Sequence, residues 1–523
     1  MRKLLGIVAL CAVAVSAIAV PARRGGVVRT AADGTEKTVF LNGDEYFHYI
    51  TDADGNWLDE ETLQPLTEEI KNEKLKIKSE ADARAKVRRA KKETGLDRLL
   101  APRGAVILVS FQDKEFQQTN ADMTEWAMGD NYSYNGATGS IHKYFWEQSW
   151  GQYDMQIDVY GPVTVSKNAS YYGSNDFSGN DKHPDQLVKE ACQLAHSECG
   201  ADFSQYDSNN DGNVDWVVIL YAGKGEADGG SEETIWPHQY ELSYTGMSFK
   251  LDGKWVDHYC CLNEIDGSTN KRAGIGTFCH EFGHVMGLPD FYATDNSTHH
   301  TLCDWDIMDY GPYLNNGNTP PSYSAYERWF MGWFEPTLVN SKASVVLGPL
   351  NERAAVYMTE NGSAISDILS PSPSTFYLFE YRQKKGWDAY LPGEGLMITK
   401  VKWSSSKWYN NTVNNTSSNM GVDIIEAKAN TTSGRNARAK ATDLYPKGAD
   451  EFTYIDAYQV TNIALANELI TFDVNGGGSE INLSVENVQS DDVQCTKVLY
   501  NGQVYIIRNG AVYDLNGRLV KAQ

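Results

Sequence analysis

Along the chain the spacing of apolar residues changes character several times, and each change predicts a different element. The first apolar run, Leu4 to Ala19, follows Arg2 and Lys3 and ends in the small-x-small pattern Ala17-Ile18-Ala19. It is too short for a comfortable membrane span and predicts a secretory signal peptide over 1–19. Cys11 follows Leu10 inside this run, which argues against a lipid-anchor cleavage site there. Next come alternating stretches, Thr38-Val39-Phe40-Leu41 and Tyr46-Phe47-His48-Tyr49-Ile50, around the turn signals Asn42-Gly43 and Asp54-Gly55. They predict a small hairpin unit. Glu68 to Arg98 is a charged helical stretch with Arg88-Arg89 and Lys91-Lys92, either a solvated linker or an easily cut one. Residues 20–103 together read as an α+β pro-segment.

At Gly104 the pattern shifts to buried strands and amphipathic helices. Ala105 to Phe111 and Val214 to Tyr221 are nearly continuous apolar runs. Helices are predicted at Ser140–Ser149 and Pro184–Ala195, the latter with proline at its first turn, and a strand at Tyr153–Tyr160. This alternation predicts an α/β domain over 104–335. Beyond Trp333 the helical signal fades into short strands at Ser344–Leu347, Thr375–Tyr381, Gly395–Val401, Gly421–Ile425 and Leu469–Val474. Their spacing predicts an all-β sandwich over 336–475. The flexible sequence Gly476-Gly477-Gly478-Ser479 opens a small β tail over 476–523.

Composition narrows the function. Hydrophobic residues at 41% exclude wholesale disorder, and a formal net charge of −23 disfavours nucleic acid. No second long apolar run suggests a transmembrane segment. Seven cysteines remain after Cys11 is removed, an odd number that leaves at least one thiol free or paired between chains.

The chemistry concentrates in Gly276-Thr277-Phe278-Cys279-His280-Glu281-Phe282-Gly283-His284-Val285-Met286-Gly287-Leu288-Pro289-Asp290. Residues four apart share a helix face, so His280 and His284 can aim two imidazoles at one metal ion. Glu281 lies beside that position, where its carboxylate can take a proton from water. A catalytic zinc keeps three protein ligands and one open position. Gly287 can end the helix and turn the chain, which brings Asp290 back as an oxygen ligand. Glu327, His299 and His300 are rival third ligands.

These residues resemble the metzincin zinc signature with Asp290 in place of the usual histidine. The wording HEFGHVMGLPDFY is similar to the immune inhibitor A family of secreted metallopeptidases. Trp305 to Gly311 resembles that family's Met-turn, which would put Met308 beneath the zinc. Ser324 to Trp329 with Gly332-Trp333 resembles its closing helix. Phe379 to Gln383 and Tyr390 to Leu396 resemble its downstream β domain. The resemblance implies a metzincin-like catalytic domain and an endopeptidase acting on proteins or peptides. Tyr310, two residues after Met308, would stabilise the oxyanion or serve as a buried structural tyrosine. The C-terminal tail resembles the sorting segments of type IX-secreted proteins.

Asp207-Ser208-Asn209-Asn210-Asp211-Gly212-Asn213-Val214-Asp215 sets oxygen side chains at alternate positions around a glycine turn. Asp207, Asn209, Asp211, Asn213 (through its carbonyl) and Asp215 are thus candidate ligands of a structural Ca2+. Val218 stands where an EF-hand has its bidentate glutamate, and an Asx-rich turn is the alternative. The expected protein is a secreted, monomeric zinc endopeptidase made as a zymogen, with an activating protease as a possible partner. Its rival is a calcium-dependent adhesion protein with a vestigial zinc site, which an intact Glu281 argues against.

Overall fold

The structure is a computed structural model. It describes residues 19–44, 47–76, 103–176, 179–295, 297–449, 451–455 and 458–484, and the backbone of 495–500, 503–508, 511–513 and 519–521. Residues 1–18 of the expected signal peptide and residues 77–102 of the basic stretch lie outside the described residues. The chain divides into two compact units, Met1–Leu483 and Ser484–Gln523.

The first unit opens with a four-stranded antiparallel sheet of β1 (Gly26–Thr30), β2 (Glu36–Asp44), β3 (Phe47–Thr51) and β4 (Trp57–Leu58). Asp54-Gly55 makes the turn between β3 and β4, with Gly55 at φ +87°. Asn42-Gly43 does not make the turn expected of it. It lies inside β2, opposite Tyr49 and His48. The Asn42 side chain bonds to its own and the neighbouring strand at Phe40 O (2.9 Å) and Thr51 Oγ1 (3.2 Å), so pairing continues past it. Residues 68–76 are helical.

The second layer begins with β5 (Arg103–Ser110), followed by α1 (Asn120–Met128), α2 (Ile141–Gln148), β6 (Gln156–Thr164) and α3 (Pro184–Cys199). Ser140 caps α2 by accepting from the Lys143 amide, and Gly200 ends α3 at φ +70°. Then come β7 (Val217–Lys224), β8 (His238–Glu241), the hairpin of β9 (Phe249–Leu251) and β10 (Lys254–Val256), and β11 (His258–Ile265). The sheet order is β6-β5-β7-β11-β8, parallel except for the edge strand β8, which runs antiparallel to β11. The apolar runs at β5 and β7 are buried along almost their whole length, as strands covered on both faces must be. Helix α4 (Gly276–Val285) lies beside β8 and β11. Its Phe278 and Phe282 rings pack edge-on against Trp216 in the core.

After α5 (Ala325–Phe330) the chain forms β12 (Thr337–Leu338), β13 (Ala343–Leu347), β14 (Ala355–Thr359), β15 (Thr375–Arg382), β16 (Gly395–Lys402), β17 (Val422–Ile424), β18 (Phe452–Ile455), β19 (Tyr458–Ala466), β20 (Leu469–Val474) and β21 (Ser479–Leu483). They make two five-stranded sheets, β12-β14-β15-β16-β17 and β18-β19-β20-β13-β21. Both contribute to one core, in which Phe379 of the first stacks on Phe472 of the second. Buried charge ties this region to α5: Glu380 accepts the Ala325 amide (2.6 Å), and Arg382 pairs with Glu380 (3.1 Å) and Asp388 (2.9 Å). The second unit is an antiparallel sheet of β22 (Cys495–Tyr500), β23 (Gln503–Arg508), β24 (Ala511–Tyr513) and β25 (Leu519–Lys521). Among the described residues no helix is long and apolar enough to cross a membrane. Cys192, Cys261, Cys279 and Cys303 are buried free thiols and Cys199 is an exposed one.

Candidate active site

Helix α4 carries His280 and His284 one turn apart, and both are fully buried. Each ring is fixed through Nδ1, which donates to the Ile307 carbonyl from His280 and to the Leu288 carbonyl from His284, both at 2.8 Å. With the protons on Nδ1, both Nε2 atoms present lone pairs to the same point. The helix ends where expected. Gly287 takes φ +98°, and the Leu288 amide closes back on the Gly283 carbonyl at 3.0 Å. This turn returns Asp290, fully buried, to the two rings.

The Asp290 Oδ1 atom lies 3.2 Å from each Nε2, and the two Nε2 atoms are 3.1 Å apart. Three lone-pair donors this close repel one another unless a cation lies between them. Ligands held at about 2.0–2.1 Å by one tetrahedral ion would stand about 3.3 Å apart. The donor set therefore fits a zinc-type ion. Among the described residues, His280, His284 and Asp290 are the only cluster of three or more His, Cys, Asp or Glu side chains able to share a metal ion. Burial lowers His284 to about 4, which keeps its imidazole neutral and able to ligate.

Glu281 is fully buried beside this cluster. Burial, with the Asp290 charge adding to it, raises its carboxyl well above the usual range. Its Oε2 receives no hydrogen bond, whereas Oε1 accepts the Val20 amide at 2.9 Å. Met308 is fully buried, and its carbonyl accepts the Phe291 amide just after Asp290 (2.8 Å).

The rival ligands lie elsewhere. Glu327 completes the capping box of α5 by accepting the Ser324 amide (2.5 Å). His299 faces the Asn414 carbonyl at 2.7 Å, and His300 faces the Cys303 thiol at 3.4 Å. Tyr310 is half-buried, with the Arg24 guanidinium carbon 3.2 Å from the centre of its ring.

Two participants carry no sequence signal. Asn411, 1% exposed, accepts the Asp290 amide at 2.6 Å and donates its Nδ2 to Asp290 Oδ2. It lies 121 residues downstream, in a segment without periodicity. Residues 19–24 are the other. They thread across the site, with the Ala19 carbonyl accepting from the Tyr292 hydroxyl (2.6 Å) and the Val20 carbonyl from Trp236 Nε1 (3.1 Å).

In the loop 207–215, Gly212 makes the expected turn at φ +90°. Asp207 accepts the amides of Asp211 (2.9 Å) and Gly212 (3.0 Å), and Asp211 accepts that of Asn213 (2.8 Å). Asn209 accepts the Asp211 amide at 3.1 Å, and Asp215 takes the Ser208 hydroxyl. The Lys254 ammonium sits on Asp207 at 2.5 Å, a cation already at the loop's first position.

Comparison with known proteins meets the same region. Residues 108–334 match the immune inhibitor A peptidase M6 catalytic domain. The chain is 31% identical over 238 residues to immune inhibitor A of Bacillus thuringiensis subsp. alesti, covering 40% of this chain and 33% of that one. It is 29% identical over 226 residues to the pre-pro-metalloprotease PrtV of Vibrio cholerae, covering 38% of this chain and 24% of that one. The chain thus spans about a third or less of the length of these relatives. Its region 108–334, which holds the buried His280–His284–Asp290 cluster, belongs to the immune inhibitor A peptidase M6 catalytic-domain family.

Proposed function

We propose that the chain is a secreted zinc-dependent endopeptidase made as a zymogen. The observation that carries this reading is the convergence of two oriented imidazoles and one carboxylate at tetrahedral separations, with a buried glutamate beside them. A zinc ion held by His280, His284 and Asp290 would supply Lewis-acid polarisation of the scissile carbonyl. Glu281 takes the proton of the attacking water and passes it to the leaving amine. Its burial, with the Asp290 charge beside it, favours the protonated form once the proton is taken. No nucleophilic side chain is required.

Latency follows from residues 20–24, which cover Glu281 with the Val20 nitrogen. The small N-terminal sheet holds them there: Val27, Val39, Leu41 and Ile50 share a buried cluster with Ala227 and Trp236 of the catalytic region. Tyr310, under Arg24, becomes accessible for oxyanion stabilisation only when this segment leaves. The β tail at 484–523 serves export, and a structural calcium at 207–215 competes with Lys254 for Asp207.

The decisive experiment is casein hydrolysis by the activated protein with and without chelator, beside Glu281→Gln. The variant should retain zinc and lose about 10²–10⁴-fold in rate. Undiminished hydrolysis by the zinc-loaded, folded variant would exclude Glu281 as the base.

A further inference from the structure

Residues 20–24, which cover Glu281, are a guide to the peptide that would take their place. Glu281 delivers a proton to the leaving amine, so a backbone nitrogen resting on it marks the first residue on the amine side of the cut. That nitrogen is Val20's, at 2.9 Å. Pro21, Ala22 and Arg23 then occupy the second, third and fourth positions on that side. The backbone is held by contacts any peptide can make: the Val20 carbonyl to Trp236, the Pro21 carbonyl to the Tyr313 hydroxyl (2.7 Å), and the Arg23 amide to the Ala227 carbonyl (2.9 Å). Val20, Pro21 and Ala22 bring only apolar side chains. The Arg23 side chain is different.

Arg23 is 8% exposed. Its Nη1 donates to Asp228 Oδ1 (2.8 Å) and to Asp266 Oδ2, and its Nη2 to Asn316 Oδ1 (2.8 Å). The Tyr313 ring lies 5.6 Å from the guanidinium carbon. All four partners belong to the region 108–334. We propose that Asp228 and Asp266 form a subsite selecting arginine as the fourth residue on the amine side of the cut bond. The proposal rests on the peptidase reading above and adds a substrate class to it.

The pocket is built independently of its occupant. Asp228 Oδ2 is fixed by the Gly267 amide at 2.7 Å. Asp266 Oδ1 accepts the Ser268 amide (3.1 Å) and hydroxyl (2.9 Å) and the Thr269 amide (2.7 Å) and hydroxyl (2.8 Å). Asp228 thus spends one oxygen on the neighbouring loop at Gly267 and Asp266 spends one on its own loop, and each turns the other toward the guanidinium. Gly267 lets the two loops meet, since a Cβ there would fall 1.3 Å from the Asp228 carbonyl oxygen. Loss of Arg23 leaves two facing carboxylates without their cation. Burial already raises Asp228 to about 6 with the arginine in place. An incoming arginine restores the charge balance and reaches all three acceptors with its planar fork. A lysine has one point charge and cannot span them equally.

The test uses the full chain, exported, activated by brief trypsin treatment, freed of trypsin by a serine-protease inhibitor and gel filtration, and loaded with zinc, with the cut site in each peptide checked by mass spectrometry. Quenched fluorescent peptides differ only at the fourth position after the cut, with Arg, Lys, Ala or Glu there, and kcat/KM is measured for each. Arginine should exceed alanine by about tenfold or more, with lysine between and glutamate last. Asp228→Asn and Asp266→Asn should each shrink the arginine-to-alanine ratio toward one. Equal rates for arginine and alanine peptides would overturn the subsite while leaving the peptidase reading intact. No hydrolysis of any peptide would overturn both. The peptide series on the unaltered protein decides the matter even if a variant fails to fold.

Discussion

Replacing Asn411 with alanine tests whether the third ligand is held from outside the catalytic sheet. The change removes two contacts, the one to the Asp290 amide at 2.6 Å and the Nδ2 donor to Asp290 Oδ2. The first is a neutral bond worth about 0.5–1.5 kcal/mol, and the second, to a charged acceptor, about 1.5–3 kcal/mol. With both groups buried, no water compensates at once, so the total loss is about 2–4.5 kcal/mol. Part of it falls on stability. The remainder lets the Asp290 carboxylate rotate away from the two Nε2 atoms. Loss of such a support for a ligand costs about 10–100-fold in metal affinity, or about 1.4–2.7 kcal/mol. Titration against a chromophoric chelator measures it, with activity at saturating zinc as companion. Asn411→Asp should weaken zinc further, because it sets a second carboxylate against Asp290. If the folded alanine variant binds zinc within twofold of the unaltered protein, Asn411 does not position the ligand.

Three other outcomes are expected. His48, on the N-terminal sheet, pairs with Glu226 at 2.7 Å and stacks on Trp236; burial opposes its charge, but Glu226 and then Glu60 outweigh it and raise its pKa. Its contribution to docking is therefore complete below the free-histidine value of about 6.5 and fades as pH rises through the raised value, so trypsin should release the segment faster in mild alkali, and His48→Gln should remove that trend. Calcium added to the zinc-loaded protein should raise the melting temperature, and Lys254→Met, which takes the ammonium off Asp207, should enlarge the rise; a melting curve indifferent to calcium in both would remove the ion from this loop. The uncut chain from Val20 should be inactive on casein until cleaved between Arg88 and Arg103, and an uncut, fully active form by mass spectrometry would assign the segment to folding or export instead.

The metal cluster was legible because its parts are local: a helical repeat of four, a glycine at the helix end and an acid three residues on. Helix α3 was legible for the same reason, through Pro184 at its first turn, although it runs past the expected Ala195 to Cys199. Strand β11 escaped because His258, Asn263 and Glu264 interrupt its apolar run, although tertiary contacts bury the last two. The Asn42-Gly43 signal misled because ladder pairing outweighed local turn preference. Asn411 and residues 19–24 act across 121 and 261 positions of chain, and no local periodicity records contacts at such range.

The strap that carries Asn411 reaches further than one ligand. Asn414 Nδ2 donates to the Phe291 carbonyl (2.7 Å), Asn415 Oδ1 accepts the Thr294 amide (2.9 Å), and the Thr294 hydroxyl donates to the Asn411 carbonyl (2.6 Å). The stretch after Asp290 is therefore laced to residues 411–415, well past the end of the family match at 334. The smallest portable unit of this site extends at least to Asn415, and a gene fragment trimmed to the family boundary would encode the ligands without the lacing that aims them.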